Sequence, residues 1–167
     1  MKKIVALTML LVVVASSIFA AKEKPASPHE TVTAKNITIT YGRPYKKGRE
    51  IFGTLVPYGQ VWRTGADEAT TIKLDRPTLF AGKQLDPGTY TLFTIPNKNN
   101  WTIILNKEAG QWGAFGYDKI KDKDVLHVDV PAENVSKSTE EFTITVGQDG
   151  FRMAWDKTSV MVPIKFL

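Results

Sequence analysis

Apolar and polar residues alternate with period two through most of this chain, which leaves little room for anything but β-structure. Ile37, Ile39 and Tyr41 fall on one face, with Asn36, Thr38 and Thr40 on the other. The pattern returns at Ile72 and Leu74, at Trp101, Ile103 and Leu105, and at Leu126, Val128 and Val130. It returns again at Phe142, Ile144 and Val146, at Phe151, Met153 and Trp155, and at Val160, Val162, Ile164 and Phe166. Alternation carried by β-branched and aromatic side chains marks half-buried strands. Residues 89–95 are apolar on both faces, which predicts a central strand or a bulge. Turn chemistry agrees: Asp86-Pro87-Gly88, the segment 96–100, and Gly147-Gln148-Asp149-Gly150, the last a hairpin. Only residues 50–56 have the makings of a helical turn, and Pro57 stops it. The expected fold is all-β, an antiparallel β-sandwich or jelly-roll-like barrel of about eight to nine strands.

The N-terminus reads as an address. Lys2 and Lys3 precede an apolar run from Ile4 to Val14, and small residues lead to a cleavage point after Ala20. This is the pattern of a secretory signal peptide, 1–20, too short in its apolar core for a comfortable membrane span. Residues 21–30, polar and Pro-rich, read as a flexible leader, and 31–167 as a single β domain. The mature chain of 147 residues, 167 less the signal peptide of 20, buries roughly 68–70% of its unfolded surface. It can fold without disulfides, and it must, because the chain has no Cys. Such a chain suits the bacterial periplasm or cell exterior. Losing Lys2 and Lys3 lowers the formal charge from +5 to +3. That favours anionic small molecules or glycans slightly and is too weak to point to nucleic acid. No membrane span is expected after signal removal.

Two connections are long for this kind of fold. One is Tyr41 to Thr71, YGRPYKKGREIFGTLVPYGQVWRTGADEATT, and the other is Glu108 to Asp124. Long ordered loops on a rigid scaffold are where binding and catalysis concentrate. In the first, Arg63 offers a planar fork of donors suited to carboxylate or phosphate, between Trp62 and the carboxylates Asp67 and Glu68. Asp67 and Glu68 are the weak candidates for acid–base chemistry, but adjacent carboxylates point apart on a strand. Arg43, Tyr45, Lys46, Lys47 and Arg49 form a basic turn that suits an anion or acidic glycan. In the second connection, Gln111 and Trp112 begin an aromatic run through Phe115 and Tyr117 that would serve as a stacking platform for a sugar face. Each group also has a plain reading: Trp62 as core, Arg63 with Asp67 as a loop-locking pair, the basic turn as solvated surface, and the aromatic run as a loop pinned to the core by its own rings.

Several chemistries find no footing. His29 and His127 are the only histidines and lie far apart, so no transition-metal site is expected. No Ser sits in a nucleophile elbow, and there is no phosphate loop or dinucleotide fingerprint. Nothing calls for a cofactor.

The blocks ASPHETVT, ITYGRPYKKGREIFGTLVPYGQVWRTGADEATTI, LDPGTYTLFTIPN, WTIILNK, GQWGAF and AWDKT resemble, in order, the family catalogued as domain of unknown function 2911. The resemblance runs from about residue 26 to the C-terminus. It implies an exported bacterial protein and adds no catalytic residue. It also implies that the Gly-Arg-Pro, Gly-Arg-Glu, Trp-Arg-Thr-Gly and Gln-Trp-Gly blocks are what the family is recognised by. The function expected is that of a domain binding a glycan or small anion. A hydrolase or isomerase acting on an envelope glycan through Asp67 or Glu68, and a structural protein binding another envelope protein, stand as alternatives.

Overall fold

The computed structural model describes residues 26–167. The expected signal peptide 1–20, and residues 21–25 of the expected leader, lie outside them. Nine strands form the described part, with no α-helix: β1 (His29–Ala34), β2 (Ile37–Gly42), β3 (Thr71–Leu74), β4 (Thr78–Phe80), β5 (Lys83–Leu85), β6 (Gly88–Pro96), β7 (Asn100–Asn106), β8 (Asp124–Gly147) and β9 (Gly150–Phe166). They make one antiparallel sheet in the order β1-β2-β3-β6-β7-β8-β9-β4-β5. The all-β, antiparallel expectation and the strand number hold. The ladder itself is a single open order ending at β1 and β5 rather than a ring closed by a continuous ladder.

The alternating faces fall where the pattern requires. Ile37, Ile39 and Tyr41 of β2, Ile72 and Leu74 of β3, Trp101, Ile103 and Leu105 of β7, and Phe151, Met153 and Trp155 of β9 all enter one core cluster. That cluster also takes Phe80 of β4 and Leu85 of β5, so strands from both ends of the ladder share one apolar interior. The sheet must therefore curl strongly. Tyr41 of β2 packs edge-on against Phe142 of β8, centroids 5.6 Å apart, although β3, β6 and β7 separate the two strands in the ladder.

β8 is the long strand that makes this possible. Its first part, Asp124–Pro131, pairs with β7, and its second part pairs with β9 and also meets the chain running on from β2. There the Lys46 N–H donates to the Glu140 carbonyl (2.7 Å) and the Phe142 N–H to the Pro44 carbonyl (2.9 Å), with Tyr45 bridged to Glu141. The Tyr41 hydroxyl accepts the Ile144 N–H at 3.0 Å and donates to Glu30 at 3.2 Å. Burial raises the pKa of that phenol, opposed by the Ile144 N–H and reinforced by the Glu30 carboxylate.

Two expected features are corrected. The alternating runs 126–130 and 142–146 read as separate strands, but the backbone continues through the polar segment between them. Likewise 151–155 and 160–166 are one strand, although the buried positions change from odd to even numbers. A one-residue change of phase would turn every later side chain to the wrong face unless an extra residue is absorbed. The phase changes at Asp156, which takes a left-handed φ of 49°, and the ladder is irregular there, its register shifts on either side of the Thr139–Asp156 pair leaving the extra residues on β8. The turn at 51–56 is not helical: the Val56 N–H reaches back to the Ile51 carbonyl (2.9 Å) and the Gly53 N–H forward to that of Val56 (2.9 Å). In addition, β1 begins at His29, inside the expected leader, because backbone pairing to β2 needs no apolar side chain.

The second face of β6 and β7 is covered as well, which explains the two-sided apolar character of 89–95. Phe93 and Ile104 are buried beneath Ala69 and Ile120, with Val61, Ala114 and Tyr117 packed around them. Tyr117 lies edge-on to Phe93 at 5.3 Å. Its hydroxyl donates to Asp124 at 2.5 Å, and Asn106 donates to Asp124 and to the Ile120 carbonyl, each at 2.7 Å. Burial first, then the Asp124 carboxylate, pushes the Tyr117 phenol well above its ordinary range. The connection from Glu108 is thus pinned along its second half.

The irregular point at Asp156 carries a pH signature. Partial burial pushes its carboxyl pKa up, but hydrogen bonds from Lys46 (2.5 Å) and Ser138 (2.8 Å) outweigh this and hold it below its ordinary 3.8. A carboxylate depressed in the folded state stabilises above its unfolded pKa, and that stability disappears as pH falls through the folded value. Asp156→Asn should therefore lower stability at neutral pH by roughly 1 kcal/mol. In urea titrations the gap between the two proteins should shrink below about pH 4; a gap constant down to pH 2 would contradict the ion pair's role.

Candidate functional site

The chain leaving β2 builds the site. At Gly42 the backbone passes so close to the loop 63–70 that an added Cβ would stand 2.0 Å from the Ala66 carbonyl oxygen. The Ala66 N–H donates to the Gly42 carbonyl at 3.2 Å. The loop is then tied to the sheet through Trp62, which exchanges backbone hydrogen bonds with Thr94 of β6 at 2.7 and 3.0 Å.

Within the loop, Thr64 and Asp67 both take left-handed backbone conformations, with φ of 56° and 62°. For a β-branched residue such as Thr64 this costs about 1–3 kcal/mol and persists only where surroundings over-determine it. Here they do: the Thr64 hydroxyl donates to that of Thr94 (3.1 Å), and Thr70 donates to the Thr64 carbonyl (2.7 Å), all three side chains being buried. Asp67 is held by its own partners. Its carbonyl accepts Arg63 Nη1 (3.2 Å) and the Gly113 N–H (3.0 Å), and its carboxylate accepts the Ser27 N–H (2.8 Å).

The two long connections meet at this point. Glu68 and Trp112 form an antiparallel bridge, and the Ala69 N–H donates to the Gln111 carbonyl at 2.9 Å. Gly113, at φ 73°, lets the aromatic loop turn under Phe115: a Cβ there would stand 2.9 Å from the Phe115 ring and 3.1 Å from Arg63 Nη1.

Between these segments lies a cleft of about 580 Å³ lined by Tyr45, Lys47, Arg49, Leu55, Trp62, Arg63 and Trp155 together with backbone near Ser27 and Gly65. Its floor is aromatic. Trp62 and Trp155 are stacked 6.0 Å apart at 17°, and Trp62 also meets Phe142 (5.0 Å), Trp101 (5.9 Å) and Phe52 (6.0 Å). Its rim is cationic. Among the described residues no carboxylate lines the cleft, and none lies within 4.0 Å of the charged groups of Lys47, Arg49 or Arg63. Glu140 accepts the backbone N–H of Lys47 at 2.7 Å and leaves its ammonium free of a carboxylate. Arg49 donates to the Lys46 carbonyl (3.0 Å) and to that of Tyr45, which fixes its head over the turn. Arg63 donates only to the Asp67 carbonyl and lies 5.9 Å from the Phe115 ring centroid.

The sequence profile of a family described as protein of unknown function (DUF2911) matches residues 24–164. The chain belongs to this family. Neither the curated proteins nor the solved structures contain a match to it.

The residues singled out from the sequence separate into those at the cleft and those that build its frame. Tyr45, Arg49, Trp62 and Arg63 line it, Trp62 chiefly as core at 8% exposed. Arg43 does not. Its guanidinium is forked between Glu30 (3.0 Å) and Glu141 (2.8 Å), clamping β1 to β8. Glu68 pairs with His29 at 2.8 Å, and Asp67 anchors Ser27, and neither Asp67 nor Glu68 lines the cleft. The expected Arg63–Asp67 ion pair is a contact to the Asp67 carbonyl instead, because the left-handed turn aims the carboxylate at Ser27. Gln111 and Trp112 contribute backbone to the junction, and no side chain of theirs reaches the cleft. Trp155 and Leu55 were not legible as site residues: one reads as a strand core position, the other as part of a turn. Among the described residues no group of three His, Asp or Glu side chains is placed to hold a metal ion.

The whole frame depends on the Gly42 approach. Gly42→Ala should cost about 2–3 kcal/mol, because the clash is with backbone and no side chain can move aside. Chemical denaturation should show a lowered midpoint. An unchanged midpoint would mean that loop 63–70 is not seated on β2.

Proposed function

We propose that this chain is a ligand-binding domain of the bacterial periplasm or cell exterior, and that the cleft between Lys47, Arg49 and Arg63 takes an anionic small molecule or the acidic group of a glycan. One observation carries the reading: three cations line one concave surface, and among the described residues no carboxylate lines it or pairs with them. Three unpaired positive charges held on structured backbone repel one another and cost stability, which an anion would relieve. Arg63 supplies the directional element, since its planar fork can meet two oxygens of a carboxylate or phosphate at once. The strained turn at Thr64 and Asp67, held by a buried threonine cluster, is further support, because such strain gathers at ligand clamps. The address rests on the basic, apolar and small-residue order of the first twenty residues.

A reading as a hydrolase acting through Asp67 or Glu68 draws no support from the geometry, since both carboxylates are engaged by residues 27–29 and neither lines the cleft.

Isothermal titration with inorganic phosphate and with an acidic oligosaccharide such as oligogalacturonate tests the proposal. Saturable binding is expected that weakens with added salt, with Arg63→Ala lowering affinity about ten-fold or more. Neutral oligosaccharides of equal length should bind far less. Absence of saturable binding, or affinity unmoved by both Arg63→Ala and Lys47→Ala, would overturn it.

A further inference from the structure

The cleft does not end at Arg63. A second hollow of about 220 Å³ continues on its far side, lined by Leu55, Pro57, Gln60, Val61, Ala114 and Phe115. Leu55, Val56, Trp62 and Arg63 border both hollows, so the two are neighbours across one guanidinium. The character changes sharply between them. Apart from Arg63 itself, the second hollow carries no charged side chain.

Its surroundings are unusually apolar for a surface. The large apolar side chains exposed among the described residues are Leu55, Tyr58, Trp112, Phe115, Val125 and Leu167. The first four belong to the two connections that form this mouth, and Phe115 is 87% exposed. An aromatic ring left in water on a structured loop is costly unless something covers it. Phe115 is also not loosely placed. Gly113 beneath it has the one backbone conformation and the absent side chain that let the ring lie beside Arg63.

We infer that the ligand of this cleft is an amphiphilic anion: a carboxylate or phosphate group on Arg63, Lys47 and Arg49, with an aliphatic or aromatic body lying against Leu55, Val61 and Phe115. The inference rests on the anion-binding reading and adds the nature of the ligand's other half. Charge complementarity fixes which end goes where. The guanidinium at the boundary draws the anionic group to itself, and the hollow that adjoins it offers an apolar lining with no further charge. A ligand with only an anionic group would leave Phe115 and Leu55 in water, and an uncharged apolar body would leave the three cations unpaired. The combined volume suits a small molecule rather than a polymer chain.

Titration calorimetry on the mature protein with a series of straight-chain carboxylates, from acetate through hexanoate to decanoate, and with phenylacetate, tests it. Affinity should rise about two-fold per added methylene, half of what full burial would give, until the hollow is filled. Phe115→Ala should lower affinity for decanoate and phenylacetate several-fold more than for acetate or phosphate, and because Phe115 is exposed this variant keeps the fold. Decanol, with the body and no charge, should bind at least ten-fold more weakly than decanoate. Equal affinity across the series, with phosphate binding still lost in Arg63→Ala, would overturn the amphiphilic ligand and leave the anion site standing. No binding of any carboxylate or of phosphate would overturn both.

Discussion

Everything of functional interest in this molecule depends on a close approach between two backbones. The chain leaving β2 at Gly42 runs against loop 63–70 on one side and against the second half of β8 on the other. Backbone hydrogen bonds from Lys46 and Phe142 draw the curled sheet together there, and Arg43 reinforces the junction by bridging Glu30 and Glu141. With the two edges held, residues 45–66 have no course except over the mouth of the core. The cleft is the space left between that crossing segment and the aromatic interior beneath it. A charged side chain that seemed suited to recognition, Arg43, is instead the clamp that makes a recognition surface possible.

A second constraint is that β6 and β7 are apolar on both faces. One face joins the main core and the other must be covered by chain that is not strand. The segment 108–123 does this with Tyr117 and Ile120, and its hydrogen bonds to Asn106 and Asp124 hold it down. Because the segment is pinned at that end, its start at 111–115 is presented at a set place, paired to Glu68 and Ala69. Structural and recognition roles are divided along one loop: Tyr117 packs, Phe115 is displayed. The aromatic cluster below the cleft shows a similar division. Trp62 and Trp155 stabilise by burial, yet their stacked edges also form the floor a ligand would meet.

The difference between expectation and structure has a physical cause in each case. The break between Trp155 and Val160 looked like a strand boundary because the phase of alternation changes. The left-handed backbone at Asp156 produces the same change without ending the strand, and only the ladder to β8 distinguishes them. Asp67 and Glu68 looked like chemistry because carboxylates beside Arg and Trp often are. Their partners, Ser27 and His29, lie about forty positions away in sequence, where local pattern carries no information. Arg43 and Arg63 have similar neighbourhoods in sequence, each beside Gly and an aromatic residue, and opposite fates. The one that met two carboxylates is spent, and the one that met none faces the cleft.

The sequence by itself determined the all-β architecture, the antiparallel strands and the position of the two long connections. It could do so because side-chain alternation and turn residues act within a few residues of one another. It also determined the family, since the family's sequence profile spans residues 24–164. The tertiary structure alone decided that the sheet curls over one core, that Gly42 is a point of backbone contact, and which cations meet no carboxylate among the described residues. Those outcomes depend on which distant residues arrive opposite each other. A charge is a site or a strut according to whether a carboxylate from another strand reaches it first.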